Sequence, residues 1–303
     1  MDDVLTGRRY STVRNCEKFT LPNSEYADNT AVLFTSRDDV EYSLPFLLAH
    51  FLKFGLEIHV GTPEKESKSE ILFVSAPNYT YTNQQTYDER NLNIIDLGNG
   101  TFIPIVKRFV YLGSVLTTDC RDMADIEARI SSASQAFGSL RKCLFSSIDI
   151  SFVAKKSVYE GLIIPILLYG AEHWCLTERL MSSLRTFHAR CIRSMCRVTR
   201  LHTRLHHISN TELRARTGLL SIDSYVTRRQ LRWLGHVARI RSERLPRKML
   251  TSWVREKRPR GAPDFTYGRA VYKALKKINI SRNEWYECAQ DRSGWREIVN
   301  RAI

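Results

Sequence analysis

Three groups of residues have types and spacings that could do chemistry. Tyr26-Ala27-Asp28-Asn29 leads into the apolar run ending at Phe34. It reads as strand, short polar turn and strand, with Asp28 and Asn29 at the tip and the carboxylate presented to solvent. The same pair would serve equally as plain hairpin residues. Cys191, Cys196, His202 and His206 spell C-x4-C-x5-H-x3-H, four potential Zn2+ ligands in sixteen residues. Side chains five apart on a helix point about 140° from each other, whereas structural zinc sites pair ligands two to four residues apart on a turn. Cys191 also falls on an apolar stripe, so the pattern argues for core thiols and basic-face histidines over zinc. Third, Arg228, Arg229, Arg232, His236 and Arg239 crowd the polar face of the segment RRQLRWLGHVAR, a set suited to phosphates. Trp233 among them could stack on an unpaired base, but beside Leu231 and Leu234 it reads as core.

The elements that must position these groups follow from hydrophobic periodicity. Val40, Leu44, Leu47, Leu48 and Phe51 recur at helical spacing behind Asp38-Asp39, with Gly55 as the stop and a strand predicted at 56–60. Residues 61–70 and 75–101 read as loops around a short strand, and 106–116 as a bent strand or hairpin turning at Gly113. From there the period becomes helical. Ile126, Ile130, Ala133, Phe137, Leu140 and Leu144 form one stripe, and Ser151 caps a helix through Tyr169 that Pro165 kinks. Leu180, Leu184, Phe187, Cys191, Met195 and Val198 mark a third helix that could bundle with these two. Asn210 caps a short helix stopped by Gly218. Ser221 or Asp223 then starts a longer one with Val226, Leu231, Leu234, Val237 and Ile240 facing inward. A basic linker around Pro246, Pro259 and Pro263 precedes a helix pair near 267–302 containing Trp285 and Trp295.

Charge tells the same two-part story. The 303 residues carry 46 Lys plus Arg against 32 Asp plus Glu, a formal charge of +14. Residues 1–105 hold 9 of the basic and 15 of the acidic side chains, so the first third carries −6 and the remainder +20. A surplus of that size calls for a polyanionic partner, nucleic acid first. With 43% hydrophobic and 26% charged residues, disordered and fibrous classes are excluded. Seven scattered cysteines fit a reducing compartment. No apolar stretch follows Met-Asp-Asp, and the most apolar run, 162–169, falls far short of the roughly 20 residues that span a bilayer. The expectation is a nuclear or cytoplasmic protein, neither secreted nor in the membrane.

Tyr26-Ala27-Asp28-Asn29 resembles the YADD box of reverse transcriptases from non-LTR retrotransposons. The segments that follow in order strengthen the likeness: FGLEI at 54–58, FVYLGS at 109–114, EARISSASQAFGSLRK at 127–142, PILLYGAEHW at 165–174, RRQLRWLGHVAR at 228–239 and DRSGWRE at 291–297. Together they resemble the C-terminal part of the RTE-like polymerase. The resemblance implies an α+β fold, in which an incomplete palm-like sheet with a helix at its N-terminal side occupies 1–118. A thumb-like helical bundle at 119–200 and a basic helical extension at 201–303 complete it. It also implies that Asp28 is a remnant Mg2+ ligand, that Asn29 stands where the family has a second aspartate, and that Phe109, Tyr111, Leu112 and Gly113 form the primer grip. Arg141, Lys142, Lys155 and Lys156 become thumb cations for template-primer. Polymerases place two Mg2+ ions between facing carboxylates, and only 25 residues precede Tyr26 to supply the other one. Mg2+ binding is therefore expected to be weak or absent.

The expected function is nonspecific, phosphate-driven binding of RNA and DNA by a chain that does not polymerise alone. The alternatives are a free-standing helical DNA-binding or interaction module, or an inactive element remnant. The oligomeric state stays open. Palm strands without their earlier partners would leave a sheet edge bare in the first 105 residues, an aggregation hazard.

Overall fold

Where the hydrophobic period changes from two to helical, the chain divides: two compact units separate between Arg121 and Asp122. The computed structural model describes residues 23–26, 29–74, 93–251, 267–281 and 283–301; Asp28 and most of the basic linker lie outside the described residues.

The N-terminal unit is built of small sheets around one helix. β1 (Asn23–Tyr26) and β2 (Asn29–Val32) are antiparallel, and Tyr26 pairs with Asn29. Asn29 is thus a strand residue, not the tip residue its polarity suggested. α1 (Arg37–Lys53) starts where the Ser36 side chain accepts the Asp39 N–H, with Asp38 and Asp39 favouring the positive end of the helix dipole. Its Val40 and Leu44 pack on Ile95 and Ile103. Gly55, at φ +74°, ends it in the left-handed region.

The strand expected at 56–60 has no ladder there. Pairing begins at Gly61, which exchanges hydrogen bonds with Phe102 at 2.8 and 3.0 Å. A Cβ at Gly61 would sit 2.8 Å from the Phe102 ring, so a larger residue here would have to push the ring aside. β3 (Ile71–Leu72) runs parallel to β5 (Thr101–Val106), which pairs antiparallel with β4 (Ile94–Gly98) in the order β3-β5-β4. The sequence expectation for 75–101 is loop, but its described end, from Ile94 on, is ordered in strands. These form a hairpin whose Asn99 and Gly100 both adopt positive φ, as a type I′ turn requires. β6 (Arg108–Tyr111) and β7 (Ser114–Thr117) form a second such hairpin around Leu112 and Gly113, at φ +48° and +83°.

In the helical unit, α2 (Met123–Leu140) continues into a π-helical turn, Arg141–Phe145. α3 (Phe152–Val158) is capped by the Ser151 hydroxyl, which accepts the Ala154 N–H at 3.3 Å. It then widens to π geometry over Tyr159–Ile163 before α4 (Ile164–Leu167). The widening falls directly before Pro165, whose ring lacks an N–H and crowds the carbonyl of Gly161; the extra residue absorbs both. The helix ends at Leu167, two residues before the predicted end.

α5 (Glu178–Met195), α6 (Arg200–Leu205), α7 (Asn210–Thr217) and α8 (Ile222–Arg239) follow. Ser209, not Asn210, caps α7, and Gly218 at φ +66° stops it. Ser221 caps α8 through the Ser224 N–H. α9 (Leu245–Thr251), α10 (Tyr267–Lys277), α11 (Trp285–Gln290) and α12 (Arg292–Arg301) complete the unit, with three helices where a closing pair was expected.

Two hydrophobic cores result. The first joins Ile126, Ala133 and Phe137 of α2 to Tyr159, Leu167, Leu184, Cys191 and Val226, with Phe137 stacked on Phe145 at 4.3 Å. The second joins Leu231, Leu234 and Ala238 to Val271, Leu275, Trp285 and Trp295. α8 therefore serves both cores in turn. The whole is an α+β fold with small, incomplete sheets, dominated by helices.

Candidate nucleic-acid interface

α8 is fixed before it can present anything. The Arg185 guanidinium on α5 grips Asp223 in the first turn of α8 with two hydrogen bonds, at 2.9 and 2.6 Å, and holds that carboxyl below the usual carboxylate range. Behind the same turn, Tyr159 lies 2.9 Å from Nδ1 of His188, whose Nε2 lies 2.9 Å from the Leu220 carbonyl. That pairing places the ring proton on Nε2 and lets Nδ1 accept the phenol. Burial pushes His188 down to about 4, so it is neutral in the fold. Tyr225 donates to Glu160 at 2.5 Å and accepts the Leu220 N–H, closing the network. The sequence offered no local sign of it, since its members come from four segments.

The polar arc of α8 carries the predicted basic residues. Arg229 reaches Glu172 at 3.2 Å, Arg239 donates to the Ala289 carbonyl at 2.5 Å, and Arg232 donates to the neutral amide of Asn300 at 3.2 Å. Arg228 is half-buried with its Nε unpartnered among the described residues. Burial, together with the nearby charges of Arg228, Arg296 and Arg229, holds Arg232 below the usual guanidinium range; burial and Arg292 do the same to Arg239. Arg292 and Arg296 belong to α12, so two helices far apart in sequence pool their cations. Sequence reasoning missed this pair because DRSGWRE shows only two arginines beside two acids.

A second group lies on the polar side of α5. Burial and the charges of Arg200 and Arg190 depress Arg193. The spacing of 190 and 193 on one side of a helix could have signalled it.

Other predicted cations lie elsewhere. Arg141 and Lys142 are exposed on the π-helical turn. Lys155 is turned inward, 3% exposed, its Nζ donating to the Ser147 carbonyl at 2.6 Å and lying over the Phe152 ring. It is a structural lysine whose stem fills the packing between α3 and the preceding turn. Lys156 is half-buried beside Gly218. Trp233, which the sequence places in the core, instead keeps about a third of its surface accessible beside His236; the apolar side of α8 is already filled by Leu231, Leu234 and Val237.

In the N-terminal unit, the Tyr111 hydroxyl donates to the Ser24 carbonyl at 3.1 Å and ties the β6–β7 hairpin to β1. Phe109 stacks on Tyr111 at 6.1 Å, while Leu112 and Gly113 form the exposed turn. These residues are thus brought beside the hairpin that contains Asn29; Asp28 itself lies outside the described residues.

The Cys/His quartet is spread out. Cys191 is a core residue whose thiol burial pushes up to about 12, and Cys196 faces the Leu213 carbonyl at 4.0 Å. His202 on α6 and His206, just past its end, lie ring to ring at 4.2 Å. Among the described residues no group of three or more His, Cys, Asp or Glu converges as a metal site.

With this geometry in place, comparison with known proteins adds ancestry. A protein of Caenorhabditis elegans, described as uncharacterized and transposon-derived, is 23% identical over 291 residues, covering 93% of this chain and 96% of that protein. Spanning both chains almost end to end, the likeness points to a transposable-element origin. No family model matches the chain, and no solved structure matches it. Among the described residues no helix is long and apolar enough to cross a membrane.

Proposed function

We propose that this chain is the C-terminal part of an RTE-like non-LTR reverse transcriptase, retained as a phosphate-driven binder of RNA and DNA without a working two-metal centre. The carrying observation is the arginine group on α8 and α12. Burial and the charges of Arg228, Arg296 and Arg229 all bear unfavourably on the Arg232 guanidinium, which is met by an amide instead of a carboxylate. Such crowding costs free energy that a bound polyanion returns. The excess of +20 over residues 106–303 supplies the wider field.

Two features favour backbone clamping over sequence reading. A recognition helix offers its N-terminal residues to base edges, whereas Ile222, Tyr225, Val226 and Thr227 at the start of α8 are buried. The cations instead lie along its middle and end. As for the metals, the family chemistry needs facing carboxylates. Asn29 puts a neutral amide at one position, so the described residues do not fit a two-ion site and phosphoryl transfer is not assigned to this chain.

Binding of a short duplex and an RNA–DNA hybrid at 50 and 200 mM salt tests the reading. Affinity should fall at least about tenfold between the two conditions as counterions compete; affinity indifferent to salt would overturn it. Primer extension with Mg2+ or Mn2+ should give no incorporation, and robust incorporation would refute the inactive-centre half.

A further inference from the structure

The basic arc of α8 carries an aromatic pair, with Trp233 at its edge. Trp233 keeps 36% of its surface accessible, and its ring lies 5.2 Å from that of His236 with the planes 32° apart. At 100° per residue, Arg228, Arg239, Arg232, His236, Arg229 and Trp233 fall in that angular order within about 140°. Trp233 therefore borders the guanidinium group, and His236 lies within it between Arg232 and Arg229. Phosphate contact alone gives no reason to leave about a third of an indole's surface in water while Leu231 and Leu234 beside it are buried.

An exposed indole flanked by cations suits a ligand that offers an anionic backbone and a bare π-face together. Single-stranded nucleic acid does so; in a duplex the base faces are already stacked on one another. We propose that Trp233, with His236 beside it, is a stacking platform for an unpaired base of single-stranded RNA or DNA whose phosphates the neighbouring arginines hold. The inference deepens the binding function proposed above and rests on it.

The test uses the full chain and fluorescence anisotropy with labelled oligo-dT, oligo-rU and a mixed-sequence duplex, each of about 20 nucleotides per strand, compared for wild type, Trp233→Ala, Trp233→Phe and Arg232→Ala. Trp233→Ala should weaken at least one single strand about tenfold and the duplex less than about twofold, while Trp233→Phe stays within about threefold of wild type on every probe. A loss confined to oligo-rU or to oligo-dT supports the platform and assigns it to RNA or to DNA. Arg232→Ala should weaken all three probes. Trp233 lies at the surface, so the variants should keep the wild-type circular dichroism, and Trp233→Phe, which keeps most of the packed ring, should melt closer to wild type than Trp233→Ala. If wild type binds but Trp233→Ala leaves both single strands unchanged, or weakens the duplex as much, the platform is overturned and phosphate binding stands. If wild type binds none of the probes, both proposals fall.

Discussion

Gly235 has no room for a methyl group. A Cβ there would lie 2.3 Å from the Trp295 indole nitrogen, which donates to the Leu231 carbonyl at 2.9 Å. This joins RRQLRWLGHVAR to DRSGWRE, two segments whose purpose could not be read separately. Gly235→Ala should displace the indole, lose the hydrogen bond and cost about 3 kcal/mol, measured by urea unfolding. His188 makes a second residue-scale prediction. Its pKa falls from 6.5 unfolded to about 4 folded, so the unfolded chain binds the extra proton between those values. The contribution of neutral His188 is intact above pH 6.5 and is lost as pH falls towards 4, by about 3 kcal/mol at most. Asp223, depressed by Arg185, adds acid sensitivity of the same sign at lower pH. His188→Gln should therefore be less stable at pH 7 yet show a flatter stability profile between pH 6.5 and 4 than wild type.

Among elements, α3 and α8 show how one residue type takes opposite roles. Lys155 on α3 reads as a thumb cation from sequence, but its ammonium donates to the Ser147 carbonyl, two residues past the π-helical segment. Lys155→Met keeps the stem and removes the donor. It should destabilise by about 1–2 kcal/mol and leave nucleic-acid affinity within about twofold, whereas Arg232→Ala should do the reverse. Equal loss of affinity in both variants would return Lys155 to the interface. α8 is held by a capping hydroxyl, an ion pair and two cores. Its stripe of Val226, Leu231, Leu234 and Val237 was legible because period 3.6 survives any tertiary context. The outward Trp233 was not, because indole exposure depends on how much core the rest of the helix already fills.

At the scale of the molecule, the two units differ in how much they bury. Among the described residues the buried cluster of the N-terminal unit is Val40, Leu44, Ile95 and Ile103, while Tyr42 and Phe46 of α1 and Phe54 at its end stay more than 60% exposed. The helical unit has two extensive cores. Urea should therefore melt the N-terminal unit first, and limited proteolysis should cut within 23–121 before it cuts α2–α8. A single cooperative transition, with both units equally resistant, would contradict this. The exposed α1 aromatics and short sheets also make aggregation of the isolated N-terminal unit the expected outcome on truncation.

Local interactions were enough for much of this chain. The change of period near residue 120, the caps at Ser151 and Ser221, the stop at Gly218 and the charge asymmetry are all properties of neighbours along the sequence, so the amino-acid order alone determined them. Even the missed hairpin at 94–101 carried its signal in Asn99-Gly100. Only the tertiary structure decided which tryptophan is core and which is surface, which lysine is buried, and that arginines some sixty positions apart on α8 and α12 share one field. The reason is physical: periodicity states which side of an element is apolar, but exposure and electrostatic coupling depend on what the other elements place against it.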